Sequence, residues 1–446
     1  MKKLTALILC LLMILSTALV ACNGDGGDEE ETKKPKKTKT TTATTTAPTV
    51  EDPIPQKLIA QIRPEDMNLV LSNTTKNPVI VNIDENTTVG LTMHGWPTIC
   101  KGDGDTIYAA ASLRVGHVDP FGATVFYVSE DGGYTWSAPK VVNDGPVDDR
   151  DTGIVYSGNG RLLISFFTIG SADFLPGGEY EDQMEYFATL EQQSALRKKW
   201  NNTSDEEQLK SNAWLIYSDD YGATWSAPYK APVTAPHGPV VANDGSLIFC
   251  GGGGSGFEVH QSRDGGKTWK LRATIEVPSK YETDGITYTY SEAHIVQLRD
   301  GSFVAGIRGG DYSLDESKHN ATLRTFISYS KDGYTFTKAE MIEGLVGCTA
   351  HFLELSNGAL LMTYQYRGGI PGEDVIGARG RVSYDGGKTW DEEIVISTAP
   401  INTDLGYPST VELSDGTLIT AYYQPVAGER VPSFLYTRWK LVEPEA

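Results

Sequence analysis

The stretch S-E-D-G-G-Y-T-W-S, Ser129–Ser137, decides the fold, because the chain writes it again. S-D-D-Y-G-A-T-W-S runs from Ser218 to Ser226, S-R-D-G-G-K-T-W-K from Ser262 to Lys270, and S-Y-D-G-G-K-T-W-D from Ser383 to Asp391. A degenerate copy, S-K-D-G-Y-T-F, begins at Ser330; it is one residue short and has Phe336 for the tryptophan. The shared pattern S-x-D-x-G-x-T-W reads as a turn with an anchor. Glycine at the fifth position permits a left-handed backbone, and the aspartate can accept turn N–H groups. The tryptophan is large enough to pack between neighbouring sheets. Intervals between copies are uneven, as expected of one supersecondary unit with variable loops.

A second repeat interleaves with the first. N-G-R-L-L-I-S-F-F begins at Asn159, D-G-S-L-I-F-C-G-G at Asp244 and D-G-S-F-V-A-G-I-R at Asp300. N-G-A-L-L-M-T-Y-Q begins at Asn357, D-G-T-L-I-T-A-Y-Y at Asp415, and a looser copy at Asp103. Each is a tight turn feeding an apolar, β-rich strand. Six copies predict six sheets, and short strands with frequent turns predict an all-β chain. Radial repetition of four-stranded sheets is a β-propeller. One segment departs from the pattern: Glu179 to Lys210 lacks turn signals and is expected to be a helical excursion between two sheets.

The chain has 446 residues, enough for one large β domain. Residues 1–22 read as an export signal: Lys2 and Lys3, an apolar run, then L-V-A-C ending at Cys22. That ending resembles a bacterial lipobox, which implies lipidation of Cys22 and a cell-surface lipoprotein held on the bacterial membrane. Residues 23–55 are rich in Thr, Lys and Glu and almost free of apolar side chains. Such a segment cannot bury enough surface to fold and reads as a flexible stalk. Residues 56–446 are then the folded domain. A formal net charge of −20 argues against nucleic acid as a partner. It leaves open an acidic small substrate held by local arginines. Behind the signal, Cys100, Cys250 and Cys348 allow at most one disulfide and match no metal spacing.

The S-x-D-x-G-x-T-W phrase resembles the Asp-box, or BNR repeat, of the sialidase (neuraminidase) superfamily, and the likeness covers roughly residues 85 to 425. The resemblance implies a six-bladed β-propeller. It speaks less to activity, since Asp-boxes also occur in sortilin-type receptors, xyloglucanases and photosystem assembly factors, and function has to be argued from a site.

Three segments match the family's catalytic stretches. In Y-S-E-A-H-I-V-Q-L-R-D-G-S-F-V-A-G-I-R, Glu292 precedes a D-G strand that ends in Arg308. The resemblance implies a base in Glu292 and a carboxylate-binding arginine in Arg308. In D-L-G-Y-P-S-T-V-E-L-S-D-G, Tyr407 takes the place of the nucleophile. A phenol with a pKa near 10 needs such a base beside it. Unlike a carboxylate, it does not repel an anionic sugar. Arg114 ends a strand and Asp119 follows it, where the family has an arginine and then its aspartate acid/base. Arg150, within D-D-R-D, is a further arginine expected to face the site, and His237 a candidate for a sugar hydroxyl. Arg367, with Arg379 as the alternative, is the candidate third arginine.

The first blade departs from the family. Its phenylalanine or tyrosine followed by R-I-P is here M-H-G-W-P-T-I, with Gly95 where the first carboxylate-binding arginine stands. Either Arg114 or Arg150 completes the clamp, or the substrate is another acidic sugar or an arabinan, with Trp96 available to stack on it. The expected activity is that of a retaining exo-α-sialidase needing no cofactor and no metal, acting on sialylated or other acidic glycans. A non-catalytic glycan-binding propeller is the remaining alternative.

Overall fold

In the computed structural model, which describes residues 59–61, 93–254, 256–278, 285–369, 375–398, 403–425 and 432–442, six four-stranded antiparallel sheets follow one another around a central axis. The expected export signal over 1–22, Cys22 and the expected stalk over 23–55 lie outside the described residues. The blades span residues 93–143, 148–230, 240–275, 289–341 and 348–395, and the sixth joins 406–442 to strand Ile59–Gln61. The all-β six-bladed propeller expected from the two repeats is what the chain forms.

The repeats fall at fixed places in the blade. Every D-G or N-G turn, from Asp103 to Asp415, joins a first strand to a second. Every Asp-box joins a third strand to a fourth. Antiparallel alternation puts both kinds of turn on one face of the ring. The opposite face receives the loops between second and third strands and the crossings between blades. The sixth blade has no Asp-box because its outer strand comes from the other end of the chain: Ile59 pairs with Val442 and Gln61 with Lys440.

The box itself is a closed hydrogen-bond circuit. Ser129 Oγ donates to Asp131 Oδ1 (2.9 Å) and accepts from Gly133 N–H (2.7 Å). Thr135 closes it with its N–H (2.9 Å) and Oγ (2.6 Å), both donating to Asp131. Gly133 at φ +83° supplies the left-handed step. The anchor then reaches the neighbouring blade. Trp136 packs on Phe434 and Tyr436 of the sixth blade, and Trp225 on Phe126 of the first. Such aromatic pairs add about 1 kcal/mol beyond area burial.

The helical excursion exists but interrupts the second blade instead of linking two. It leaves strand Leu162–Ile169 and returns at Ala213–Ser218, two strands that pair with each other. It contains α1 (Glu181–Phe187) and α2 (Leu190–Asn202), with a capping box between Thr189 and Gln192 starting α2. Leu196 and Trp200 of α2 pack with Phe174, Met184 and Val147. Val118 and Phe121, from a loop of the first blade, rest on the same cluster. As a loop between second and third strands, it stands on the face away from the Asp-boxes.

First strands line the axis, where Met93–Lys101 contacts both Asp148–Tyr156 and Gly406–Glu412. Five of them carry a register break near the axis: between Gly95 and Thr98, Arg150 and Gly153, Ser291 and Ala293, Cys348 and His351, and Gly406 and Ser409. At each break one residue is left-handed: Trp96 (φ +50°), Asp151 (+51°), Glu292 (+45°), Thr349 (+56°) and Tyr407 (+53°). The third blade has Gly238 (+71°) beside His237. Non-glycine residues in this region cost roughly 1 kcal/mol or more each. Bulges re-aim side chains, and here they gather a set of strained residues at the axis.

Candidate active site

Glu292, Arg308 and Tyr407 meet at the axis although they come from the fourth and sixth blades. Tyr407 Oη donates to Glu292 Oε1 (2.5 Å), and Arg308 Nη1 donates to Glu292 Oε2 (2.9 Å) and to Tyr407 Oη (3.2 Å). Thr349 Oγ1 also donates to Glu292 Oε2 (2.9 Å). Gln365 braces the group, accepting from Tyr407 N–H (2.7 Å) and donating to Thr349 Oγ1 (3.3 Å). Neither Thr349 nor Gln365 is signalled by the sequence; they belong to the fifth blade, where the sequence offers only Arg367 and Arg379.

Protonation follows from these contacts. Burial opposes ionisation of Glu292, but the Arg308 guanidinium and the hydrogen bonds from Tyr407, Arg308 and Thr349 outweigh it and hold its carboxyl below the usual range. Burial and the Glu292 charge push the Tyr407 phenol well above its ordinary value, against Arg308. The resting pair is therefore a carboxylate accepting from a neutral phenol.

Arginines surround the pair. Arg308 Nε is buried without a hydrogen-bond partner. Arg367, at a strand end as expected, donates from Nε (3.1 Å) and Nη2 (2.8 Å) to Leu405 O and approaches Tyr423 Oη (3.4 Å). Arg150 stacks over Trp96 at 4.6 Å and over Phe167 at 5.6 Å. Its carboxylate neighbours, Asp148 and Asp151, stay 3.9 and 3.8 Å away, and its Nε makes no hydrogen bond. Arg379, the alternative to Arg367, is bound within its own blade by Glu393 and the Ser397 carbonyl.

Other candidates stand elsewhere. Arg114 is fully buried, and its guanidinium is filled by Asp148, Ser112 Oγ, Asp149 O and His117 O. It stacks on Trp96 at 4.7 Å but offers no free donor to a ligand. Asp119 is also fully buried. Its Oδ2 accepts from Val115 N–H (2.9 Å) and Gly116 N–H (3.2 Å), and its Oδ1 from Phe121 N–H (2.6 Å). This is the turn-forming use of an aspartate before proline, and the structure does not bring its carboxyl to Tyr407. Trp96, 1% exposed, makes an edge contact with Tyr407 and lies beneath the arginines, so it offers no open stacking face. His237 packs against Tyr407, His294 and His351, and burial lowers its pKa to about 4. It is thus a neutral ring beneath the pair. Cys100, Cys250 and Cys348 are unpaired.

Asp151 was read only as one carboxylate of D-D-R-D. In the fold it is the left-handed residue of its strand, 7% exposed, with Oδ1 buried and accepting no hydrogen bond. Burial, opposed by Arg150 and Arg114 and reinforced by Glu292 and Asp148, raises its pKa to about 7.

Residues 195–420 match the BNR repeat-like domain family. Comparison with curated proteins finds no match. Among solved structures, a Dyadobacter fermentans protein of unknown function is 21% identical, with a TM-score of 0.59 over 78% of this chain and 95% of its own. The Hadza microbial sialidase Hz136 is 15% identical, with a TM-score of 0.53 over 79% of this chain and 66% of its own. The intramolecular trans-sialidase from Ruminococcus gnavus, solved with oseltamivir carboxylate, is 15% identical, with a TM-score of 0.51 over 79% of this chain and 96% of its own. Likeness at this level is likeness of fold.

Proposed function

The chain belongs to the BNR repeat-like domain family, and within that family we propose a retaining, exo-α-sialidase-like glycoside hydrolase that removes terminal sialic or related acidic sugars from glycans. The observation that carries this is the 2.5 Å contact between Tyr407 Oη and Glu292, with Arg308 on the same phenolic oxygen. A phenol becomes a nucleophile when a base takes its proton as it attacks. Glu292, ionised beside it, has that capacity.

The electrostatics support an anionic substrate. Arg308 pairs with the ionised Glu292, Arg150 has its carboxylate neighbours no closer than 3.8 Å, and Arg367 donates to a backbone carbonyl, in a chain whose net charge is −20. Charge-assisted bonds from such arginines to a sugar carboxylate are strong and geometrically selective. A bound carboxylate would also compete with Glu292 for Arg308. Losing that guanidinium raises the proton affinity of Glu292 at the moment it must take the Tyr407 proton. The neutral phenol, unlike a carboxylate, does not repel the incoming anion.

The test is release of fluorophore from 4-methylumbelliferyl N-acetylneuraminic acid by purified full-length protein. Glu292→Gln is expected to lower kcat by about 10²–10⁴-fold, the usual range for a positioned base, and Tyr407→Phe at least as far. A folded wild-type protein that releases nothing overturns the sialic acid assignment. A different acidic sugar is favoured by one observation: Gly95 and the buried Trp96 stand where the family has its first arginine. Activity on another acidic glycoside, absent on the sialoside, would decide for it. The chain is proposed to reach such glycans as an exported lipoprotein held through Cys22. Cys22→Ala then moves the protein from the membrane to the soluble fraction, and a wild-type protein already soluble speaks against the anchor.

A further inference from the structure

A glycosidic oxygen leaves more easily when it is protonated, and the carboxyl that the sequence offered for this, Asp119, is occupied by three backbone N–H groups. The structure holds another carboxyl at the axis. Asp151 occupies the same bulge position in the second blade as Glu292 in the fourth and Tyr407 in the sixth, with matching left-handed backbones. The three residues therefore come from alternate blades of a six-membered ring, aimed inward by one device. Asp151 Oδ1 is buried with no hydrogen bond, an arrangement that leaves a carboxyl oxygen for a ligand.

We propose that Asp151, not Asp119, is the general acid and base of this site. The proposal rests on the glycosidase function given above. In the first step the Asp151 hydroxyl gives its proton to the leaving oxygen as the bond from that oxygen to the anomeric carbon breaks, its electron pair staying with the oxygen. Tyr407 Oη bonds to the anomeric carbon and passes its proton to Glu292. In the second step the Asp151 carboxylate takes a proton from water, whose oxygen bonds to the anomeric carbon. The bond to Tyr407 breaks, its electron pair returns to the phenolic oxygen, and Glu292 returns the proton.

The surroundings agree with that cycle. Asp151 feels Arg150 and Asp148 from its own strand, Arg114 from the first blade and Glu292 from the fourth. Its own charge acts on Tyr407 and Tyr423 of the sixth. Burial, with the like charges, raises its pKa to about 7, so the proton is present at neutral pH and given up readily, as a general acid requires. Glu292, held low, and Asp151, held high, divide base and acid between two carboxyls.

The experiment compares full-length wild type with Asp151→Asn, Asp151→Ala, Asp119→Asn and His117→Ala on two sialosides. One carries 4-methylumbelliferone, which leaves with little help; the other carries galactose, which needs protonation. Asp151→Ala should fall about 10²–10⁴-fold on the sialylgalactose and far less on the activated substrate, with azide restoring turnover of the latter. Asp119→Asn, which loosens a turn, should leave the ratio between the substrates unchanged. An unchanged ratio in both Asp151 variants overturns the proposal. So does a leaving-group-dependent loss in Asp119→Asn, or in His117→Ala, whose ring pairs with Asp404 beside Trp96. If folded wild type turns over neither sialoside, the sialic acid assignment fails separately, and infrared titration judges Asp151. In an Asp149→Asn background, which removes the other carboxyl protonated at neutral pH, a protonated-carboxyl band titrating near pH 7 that survives Asp119→Asn and is lost with Asp151→Asn supports the proposal; its absence from that background overturns it.

Discussion

Glu292 is caught between burial, which favours its proton, and Arg308 with the hydrogen bonds of Tyr407 and Thr349, which together expel it. Asp149 has no such partner. It is fully buried, and burial, opposed by Asn143 and Gly145 and reinforced by the charges of Asp148 and Asp144, raises its pKa to about 8. In the unfolded chain an aspartate titrates near 3.9. The folded state thus holds this proton more tightly. Its contribution to stability is fully present below about pH 4 and is lost as pH rises through about 8, at up to about 1.4 kcal/mol per pH unit. The Tm of the wild type should therefore fall across that window, and Asp149→Asn should flatten the fall. An unchanged slope in the variant removes Asp149 as its source. At this scale the family resemblance made Glu292, Arg308 and Tyr407 legible as neighbours, each in register with a D-G turn, and Arg367 legible at the end of the strand that follows an N-G turn. It could not separate Asp148, Asp149 and Asp151. Which of three adjacent carboxyls faces the axis depends on a register break that no residue type announces.

Elements divide labour by face. Asp-boxes hold blades together on one side, and bulged first strands aim side chains on the other. Asp264→Ala removes the acceptor for Thr268 N–H, Thr268 Oγ1 and Ser262 Oγ. It should cost about 1–3 kcal/mol in thermal unfolding, as lost turn hydrogen bonds do, while kcat on an accepted glycoside stays at the wild-type value. A fall in kcat at full occupancy of the folded state would mean that the faces are coupled. The bulges have less tolerance. A methyl group on Gly153 would lie 2.2 Å from Gly238 N and 2.4 Å from its Cα, backbone meeting backbone across two blades. Gly153→Ala should destabilise by about 1–3 kcal/mol or more and shift the neighbouring Asp151, so both Tm and activity fall; wild-type values for both would refute that packing. Turns were readable because glycine and aspartate mark them. The helical excursion was readable as helix but not as part of one blade, since the sequence does not say that the strands before and after it pair.

For the whole molecule, six D-G or N-G turns foretold six blades, whereas the sequence holds five Asp-boxes. The missing one is explained by strand Ile59–Gln61, too short for any strand pattern to stand out, which completes the sixth sheet from the other end of the chain. Removing residues up to Gln61 should lower Tm and expose the edge of Ser433–Val442, because an unpaired outer strand invites pairing with another chain; a truncated protein as stable and as monomeric as the full chain would assign the closure no energetic role. The closure also makes the order of blades along the chain arbitrary. Ile59 and Val442 are cross-strand partners, so a short linker can splice the two ends. A new opening cut at the Asp300–Gly301 turn, on the face away from Tyr407, would then yield a circular permutant with the same ring and the same axis, its two ends now standing in the fourth blade.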